Sequence, residues 1–335
     1  MFDNEEKPIR ISLPSKGRLE EDTLNFLSAC GLKVYKPNPR QYEARIPHLP
    51  GLVVLFQRPG DIVVGVRDGS IDFGISGLDV IEERRGPNGQ ILVLHDELGF
   101  GGCQLHLAVP EDWEDVTDME TLKARCQKLE GPLRVATKYP ELTGRFLDTY
   151  GLKYTTISAE GTLETAPSIG YADIISDLVS SGQTLRDNRL RPLRDGMILK
   201  SQAAMIANRR SLKTNPQVLQ MARHLLEYFE AYLRARDNLS VVANIRGESG
   251  EAIAARLFND THIPGLQGPT ISRVFVRDGD PNWYAIHLIV RRSQLFPTIS
   301  DLRAIGGSGV VVSPVSYIFE EEPPRYNAML KALAE

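Results

Sequence analysis

IRISLPSKGRLEEDTLNFLSACG, residues 9–31, reads as a strand, a loop and a helix. Ile9, Ile11 and Leu13 alternate with polar residues, the period of a strand with one buried face. Pro14-Ser15-Lys16-Gly17-Arg18 ends that alternation. Leu19, Thr23, Phe26, Leu27 and Cys30 then recur at helical spacing, and Gly31 supplies a stop. The pattern repeats downstream, with a buried strand at Leu52–Phe56, a helix from Pro59 carrying Ile62, Val63 and Val66, and a strand at Ile71–Ser76. Strand–helix–strand repetition of this kind predicts an α/β layer on a largely parallel sheet.

A second series starts with a strand at Cys103–Val109. Helices follow near Met119–Lys128 and Glu141–Tyr150, and strands at Leu133–Ala136, Lys153–Ser158 and Tyr171–Ser176. Strand-like Met197–Leu199 and Ala203–Ala207 precede a long helix, Pro216–Arg236. Two α/β lobes with a cleft between them are expected. The last hundred residues change plan. Strands at Leu239–Ile245, Thr270–Val276, Trp283–Val290 and Val310–Ser313 alternate with helices at Gly250–Phe258 and Gln294–Ile305. The β-α-β-β-α-β order is the ferredoxin-like plan, and Glu320-Glu321-Glu322-Pro323-Pro324 reads as a solvated turn. The expected domains are 1–104 with 195–237, 105–194, and 238–335.

Composition narrows the function. Of 335 residues 42% are apolar and 24% charged, enough for a sizeable core. A net charge of −4 gives no basic field for nucleic acid or an anionic membrane, so neither is an expected partner. No apolar run approaches the roughly 18 residues of a membrane span. Cys30, Cys103 and Cys126 are scattered, and neither CxxC nor HExxH occurs, which suits a reduced, cytoplasmic setting. The acidic start MFDNEEKPIR is unlike a secretory signal. His95, His106 and His287 lie in strand-like runs without ligand spacing, and none is assigned to catalysis.

The strongest local signal is ADIISDLVSSGQTL, Ala172–Leu185. An apolar strand ends on an acid, and a loop of small hydroxyl residues leads into a helix. Backbone N–H groups in such a loop converge, and a helix N-terminus adds positive potential. Ser180, Ser181 and Thr184 can donate hydrogen bonds, and Gly182 admits close approach. Asp177 and Asp173 could accept from sugar hydroxyls, so a sugar phosphate is the favoured ligand. Read alone, the loop is equally an Asp–Ser–Gly turn capping a helix. It is no Walker A loop, because Gly-Lys-Ser/Thr is missing. Lys16 and Arg18 put two cations at the carboxyl end of a strand, where α/β proteins bind ligands, although the segment is also a plain polar turn. Gly74–Asp79 leaves room for a flat base, or is a tight turn with a cap at Asp79.

Residues 160–167 followed by Ala172–Leu185 resemble the signature of the ATP phosphoribosyltransferases of histidine biosynthesis. Leu13–Leu19, Gly69–Asp79, Gly99–Leu105 and Ala136-Thr137-Lys138-Tyr139-Pro140 resemble four further motifs of that family, in order. The resemblance implies a core of two periplasmic-binding-protein-like (type II) lobes and a pentosyltransferase. It would join ATP to 5-phosphoribosyl diphosphate (PRPP) through N1 of adenine, with Mg²⁺ as cofactor. By the same resemblance Lys16, Arg18, Glu164 and Asp173 are the catalytic candidates. Asp177, Ser180, Ser181, Gly182, Gln183 and Thr184 would bind PRPP, and Arg18, Gly77 and Asp79 ATP. Asp173 and Asp177 would hold the metal, directly or through water.

Residues 239–335 resemble the regulatory domain of the family's long form, through Gly268–Ser272 and Ile305–Pro314. That implies binding of L-histidine near Thr270, Gly307, Ser308 and Gly309, feedback inhibition, a dimer or hexamer, and no separate regulatory subunit. Another phosphoribosyltransferase, a non-enzymatic sensor and a solute receptor are the competing readings. The single acid of Ser176-Asp177, the retained Lys16 and Arg18, and the polar N-terminus disfavour them in turn.

Overall fold

The computed structural model describes residues 8–38, 41–158, 163–180, 182–261, 268–277 and 282–335. Glu160, Gly161, Thr162, Ser181 and the turn at 278–281 therefore lie outside the described residues. The chain divides into two compact units, Met1–Leu226 with Pro324–Glu335, and Glu227–Pro323.

The first unit opens with β1 (Ile9–Pro14), α1 (Arg18–Ala29), β2 (Glu43–Arg45), β3 (Leu52–Gln57), α2 (Pro59–Asp68), β4 (Phe73–Gly77), α3 (Leu78–Arg84) and β5 (Ile91–His95). The chain then crosses to a second sheet through β6 (Cys103–Pro110), α4 (Met119–Cys126), β7 (Leu133–Thr137), α5 (Pro140–Thr149), β8 (Tyr154–Ser158), α6 (Ala166–Ile169), β9 (Ile174–Val179), α7 (Gln183–Asp187) and β10 (Leu190–Ser201). It returns as β11 (Ala203–Asn208), α8 (Arg209–Thr214) and α9 (Pro216–Arg236), the last of which continues into the second unit.

The sheets run β2-β3-β1-β4-β11-β5 and β10-β6-β9-β7-β8. Each holds three adjacent parallel strands, β3-β1-β4 in one and β8-β7-β9 in the other. Beside them lies an antiparallel strand arriving from the other lobe, β11 and β6 respectively. Strands covered on both faces read as continuous apolar runs, and all six residues of β11 are buried. The expected two-lobed α/β core is thus present. The crossing segments run side by side. Leu98 N–H donates to the Ala203 carbonyl at 3.1 Å, Ala203 N–H to Phe100 at 3.0 Å, and Gly99 N–H to Gln202 Oε1 at 3.0 Å.

The second unit carries β12 (Asn238–Arg246), α10 (Gly250–Asp260), β13 (Thr270–Arg273), β14 (Trp283–Arg291), α11 (Leu295–Ala304) and β15 (Ser308–Pro314). Its antiparallel sheet runs β13-β14-β12-β15, the ferredoxin-like order. Val241, Ala243, Ile245, Ile286, Leu288 and Val290 form one buried face with Ile253 and Leu257 of α10 and Leu302 of α11.

Among the elements that differ from expectation are β9, β13 and a last helix. β9 begins and ends three residues later than expected, because antiparallel pairing with β6 sets its end, with His106 opposite Asp177 and Gln104 opposite Val179. β13 stops at Arg273. After the Glu-rich turn the chain forms α12 (Pro324–Ala334), which packs on the first unit. There Met329 is buried, Arg209 donates to the Ala332 carbonyl at 2.7 Å, and Arg325 pairs with Asp96 at 2.5 Å.

His95, at the end of β5, is 4% exposed, and burial, with Arg325 adding to it and Asp96 opposing, pushes its pKa down to about 4. Unfolded, the ring protonates near its ordinary 6.5. The neutral ring's contribution is therefore fully present above that pH and is lost as pH falls toward 4. The thermal midpoint should drop by several degrees across this window in the wild type and less in His95→Gln. Equal slopes in both proteins would eliminate His95 as the source.

Candidate active site

The carboxyl ends of the parallel strands present the polar loops from both lobes. β1 leads into Ser15–Arg18, where Gly17 at φ 75° precedes α1. A left-handed turn of this kind favours glycine. Lys16 is exposed, and Arg18 reaches only Asp22 at 3.5 Å with its side chain 91% exposed. Both side chains are open to solvent.

In the other lobe β9 leads into the hydroxyl loop. Gly182, at φ 71°, caps α7, a helix of only five residues, so the loop relies on its own donors more than on a helix dipole. Ser180 and Thr184 are exposed. The Gln183 amide donates to Asp187 at 2.7 Å and accepts from Arg186 at 3.1 Å. Gln183 thus serves its own helix in this arrangement.

Asp177 sits inside β9, half-buried, and takes the Leu178 N–H at 2.8 Å. Burial pushes its pKa up; the Leu178 N–H and Lys138 oppose this, and Glu164 pushes further in the same direction. Glu164, from the short turn Leu163–Thr165, and Lys138, after β7, therefore share the field around Asp177.

Asp173 is a correction. It precedes β9 at the end opposite the loop, roughly 13 Å from Asp177 at about 3.3 Å per residue. Arg134 grips it with its backbone N–H at 2.8 Å and its guanidinium at 2.7 Å. These bonds tie β9 to β7 and keep the Asp173 carboxylate at the end of the strand away from the hydroxyl loop.

Asp79 also differs from a cap. Gly77 is the N-cap of α3, and Asp79 lies two residues further on, 4% exposed. Its Oδ1 accepts from the Ser201 hydroxyl at 2.6 Å and its Oδ2 from the Tyr139 hydroxyl at 2.7 Å. Ser201 in turn accepts from the Asp79 N–H at 3.0 Å. One carboxylate thus joins the first lobe to the second and to the crossing strand. Cys103, opposite Ser201 in register, completes this floor, and its thiol pKa is raised by burial and then by Asp79. Gly77 is required here: a Cβ would stand 2.4 Å from Asp79 Oδ1. Lys138, Tyr139 and Ser201 were not among the expected site residues. Lys138 and Tyr139 lie within the Ala136–Pro140 motif, whereas nothing local marks Ser201.

In the second unit Thr270 starts β13, opposite His287. Gly307 donates to the Leu302 carbonyl at 2.7 Å, Ser308 opens β15, and Gly309 has φ 57°. β13 and β15 are opposite edges of the sheet, about 14 Å apart at three strand spacings. One copy does not bring Thr270 and the glycine turn to the same ligand.

Among the described residues no group of three or more His, Cys, Asp or Glu side chains could hold a metal ion, and no helix is long and apolar enough to cross a membrane.

Comparison with known proteins agrees with this geometry. The profile of the HisG family, ATP phosphoribosyltransferase, matches residues 58–230, and that of the HisG C-terminal domain matches 235–317. ATP phosphoribosyltransferase 2, chloroplastic, of Arabidopsis thaliana is 45% identical over 332 residues, covering 97% of this chain and 80% of that protein. ATP phosphoribosyltransferase of Gemmatimonas aurantiaca is 34% identical over 312 residues, 92% of this chain and 98% of that one. A solved ATP phosphoribosyl transferase (HisG:HisZ) complex from Thermotoga maritima superposes with a TM-score of 0.51 at 26% identity, over 66% of this chain and 98% of that chain. The chain belongs to the ATP phosphoribosyltransferase family.

Proposed function

We propose that the enzyme joins ATP and PRPP across the cleft, each substrate held mainly by one lobe. The observation that carries this is that Glu164 and Lys138 both act on Asp177, in the strand that leads into the hydroxyl loop, with Lys16 and Arg18 presented by the other lobe. Ser180, Ser181, Gly182 and Thr184 would cradle the 5-phosphate of PRPP, and Asp177 would accept from its ribose hydroxyls. Arg18 and the Gly77 backbone would receive ATP, with Asp79 behind them as the brace. Adenine N1 carries its own lone pair, so no strong base is required. The task is to stabilise a cationic sugar beside a departing diphosphate, by position and preset charge. Asp177 and Glu164 would face the sugar, and Lys16 and Lys138 the diphosphate.

Asp177 and Glu164, neighbouring carboxylates with no third acidic or histidine ligand grouped with them among the described residues, would be the protein groups that hold Mg²⁺ beside the diphosphate. When bound, the ion would neutralise charge on the leaving diphosphate.

L-Histidine is the proposed inhibitor, acting on the second unit. Thr270 and Gly307–Gly309 could meet one amino acid only if two copies contribute, which supports a homo-oligomer of dimers or hexamers. The Thermotoga maritima protein matches over 66% of this chain and 98% of its own, and we infer that the HisG C-terminal domain carried here replaces a separate regulatory subunit. Free Cys30, Cys103 and Cys126 suit a reducing compartment, the cytoplasm or the plastid named for the Arabidopsis relative.

Diphosphate release from PRPP, measured with Mg²⁺ and ATP, should require ATP and fall when histidine is added. Release indifferent to histidine would remove the feedback reading alone. Binding of PRPP without release would replace the enzyme with a sensor.

A further inference from the structure

α5 begins without a cap of its own. Tyr139 at its N-cap makes no side-chain hydrogen bond to the helix, and Pro140, the first helical residue, has no N–H. The next two N–H groups, of Glu141 and Leu142, need acceptors from elsewhere. Both find them on one carboxylate from the other lobe. Glu83 of α3 accepts from Glu141 at 2.9 Å through Oε1 and from Leu142 at 2.9 Å through Oε2. A charged acceptor at a helix N-terminus, bonded twice, is among the stronger polar contacts available to a protein. Glu83 is half-buried, with Glu141 and Arg145 of α5 facing it, so the contact is partly shielded from solvent. Two neighbouring contacts follow the same seam: Tyr139 to Asp79 at 2.7 Å, and Arg145 to the Glu82 carbonyl at 3.1 Å.

The helix so anchored begins directly after Lys138, whose charge acts on Asp177, and Tyr139, which donates to Asp79. We propose that Glu83 is a positioning residue for the transfer. It caps α5 across the cleft and thereby fixes the register of the two lobes on which the two substrates are held. The inference rests on the assignment of ATP and PRPP mainly to separate lobes. If each substrate keeps its own lobe's ligands, loosening the seam leaves both binding steps nearly intact. It spoils the approach of adenine N1 to the ribose carbon, and misplacement by about 1 Å can cost on the order of 100-fold in rate.

The test compares wild type with Glu83→Ala and Glu83→Gln by steady-state kinetics in both substrates, thermal melting, and hydrogen exchange at the Glu141 and Leu142 amides. In Glu83→Ala kcat should fall at least about tenfold. Both KM values should stay within about threefold, and those two amides should exchange faster while the rest of α5 stays protected. Glu83→Gln keeps one acceptor at the same reach and should fall between. Faster amide exchange with unchanged kcat would overturn the proposal, as would a rise in one KM alone. A kcat loss that simply tracks a collapse of the melting temperature in both variants would reduce Glu83 to a structural residue. A wild type that releases no diphosphate would take down the substrate assignment and this inference together, whereas an active wild type beside an unaffected Glu83→Ala removes this inference only.

Discussion

Asp177→Asn should lower kcat/KM for PRPP by about 10²–10³-fold while leaving the melting temperature unchanged or slightly higher. The two halves of this result have separate causes. The side chain lies in a half-buried position where desolvation disfavours the charge, and Glu164 beside it adds repulsion. A carboxylate whose pKa is raised by folding subtracts stability at neutral pH, so removing its charge does not weaken the fold. The amide carbonyl of Asn can still accept the Leu178 N–H that Asp177 now takes at 2.8 Å. What would disappear is the negative field at the proposed sugar site, and preset charge of this kind accounts for losses of that size when removed. Asp173→Asn is the matched control. Its partner Arg134 is 45% exposed, so solvent screens the pair, and turnover should persist. Wild-type turnover in Asp177→Asn, measured by diphosphate release, would move the sugar site elsewhere. A loss in Asp173→Asn as large as that in Asp177→Asn would undo the correction made for Asp173.

The contrast between these two aspartates shows where local sequence runs out. Alternation at Ile9, Ile11 and Leu13, followed by helical spacing to Cys30, is carried within one segment, and β1 and α1 appear as read. The ferredoxin-like order of the second unit was legible for the same reason, since each strand and helix carries its own period. The end of β9 was not. It is set by β6, about seventy residues away in sequence, and the shift moved Asp177 into the strand and left Asp173 at its far end. α3 was hidden because its N-terminus carries no side-chain cap and its single turns of Leu78, Asp79 and Ile81 look like a tight turn. α12 follows a run of acids and prolines that masks its start. The site divides likewise. Lys16, Arg18 and the hydroxyl loop announce themselves by residue type at a strand end. Tyr139 and Ser201 reach Asp79 across 60 and 122 residues, and Glu83 reaches Leu142 across 59. Their meaning lies in a partner that only the folded chain brings near.

Gly77→Ala should destabilise the first unit by about 1–3 kcal/mol, because one added methyl forces a buried carboxylate off its donors. The backbone at Gly77 is extended, at φ −66° and ψ 138°, so any residue could adopt it. The cost comes from contact alone, the new Cβ standing 2.4 Å from Asp79 Oδ1. Asp79 must rotate, and Oδ1 then loses the Ser201 hydroxyl, leaving a charge 4% exposed without one of its partners. At about 2–4 °C per kcal/mol the melting temperature should fall by several degrees. Activity should fall with it, since Asp79 also holds Tyr139 at the cleft. The causal chain has a sharp consequence for the double variant. Asp79→Ala alone removes the shared acceptor of Ser201 and Tyr139 and should itself be costly. Once that carboxylate is gone, the alanine methyl at 77 meets nothing that must move. Gly77→Ala should then be nearly neutral when added to Asp79→Ala, giving a coupling energy close to the full cost of the single Gly77 change. Additive losses in the two variants, measured by denaturant unfolding, would mean that the cost of Gly77→Ala does not run through the seat of Asp79.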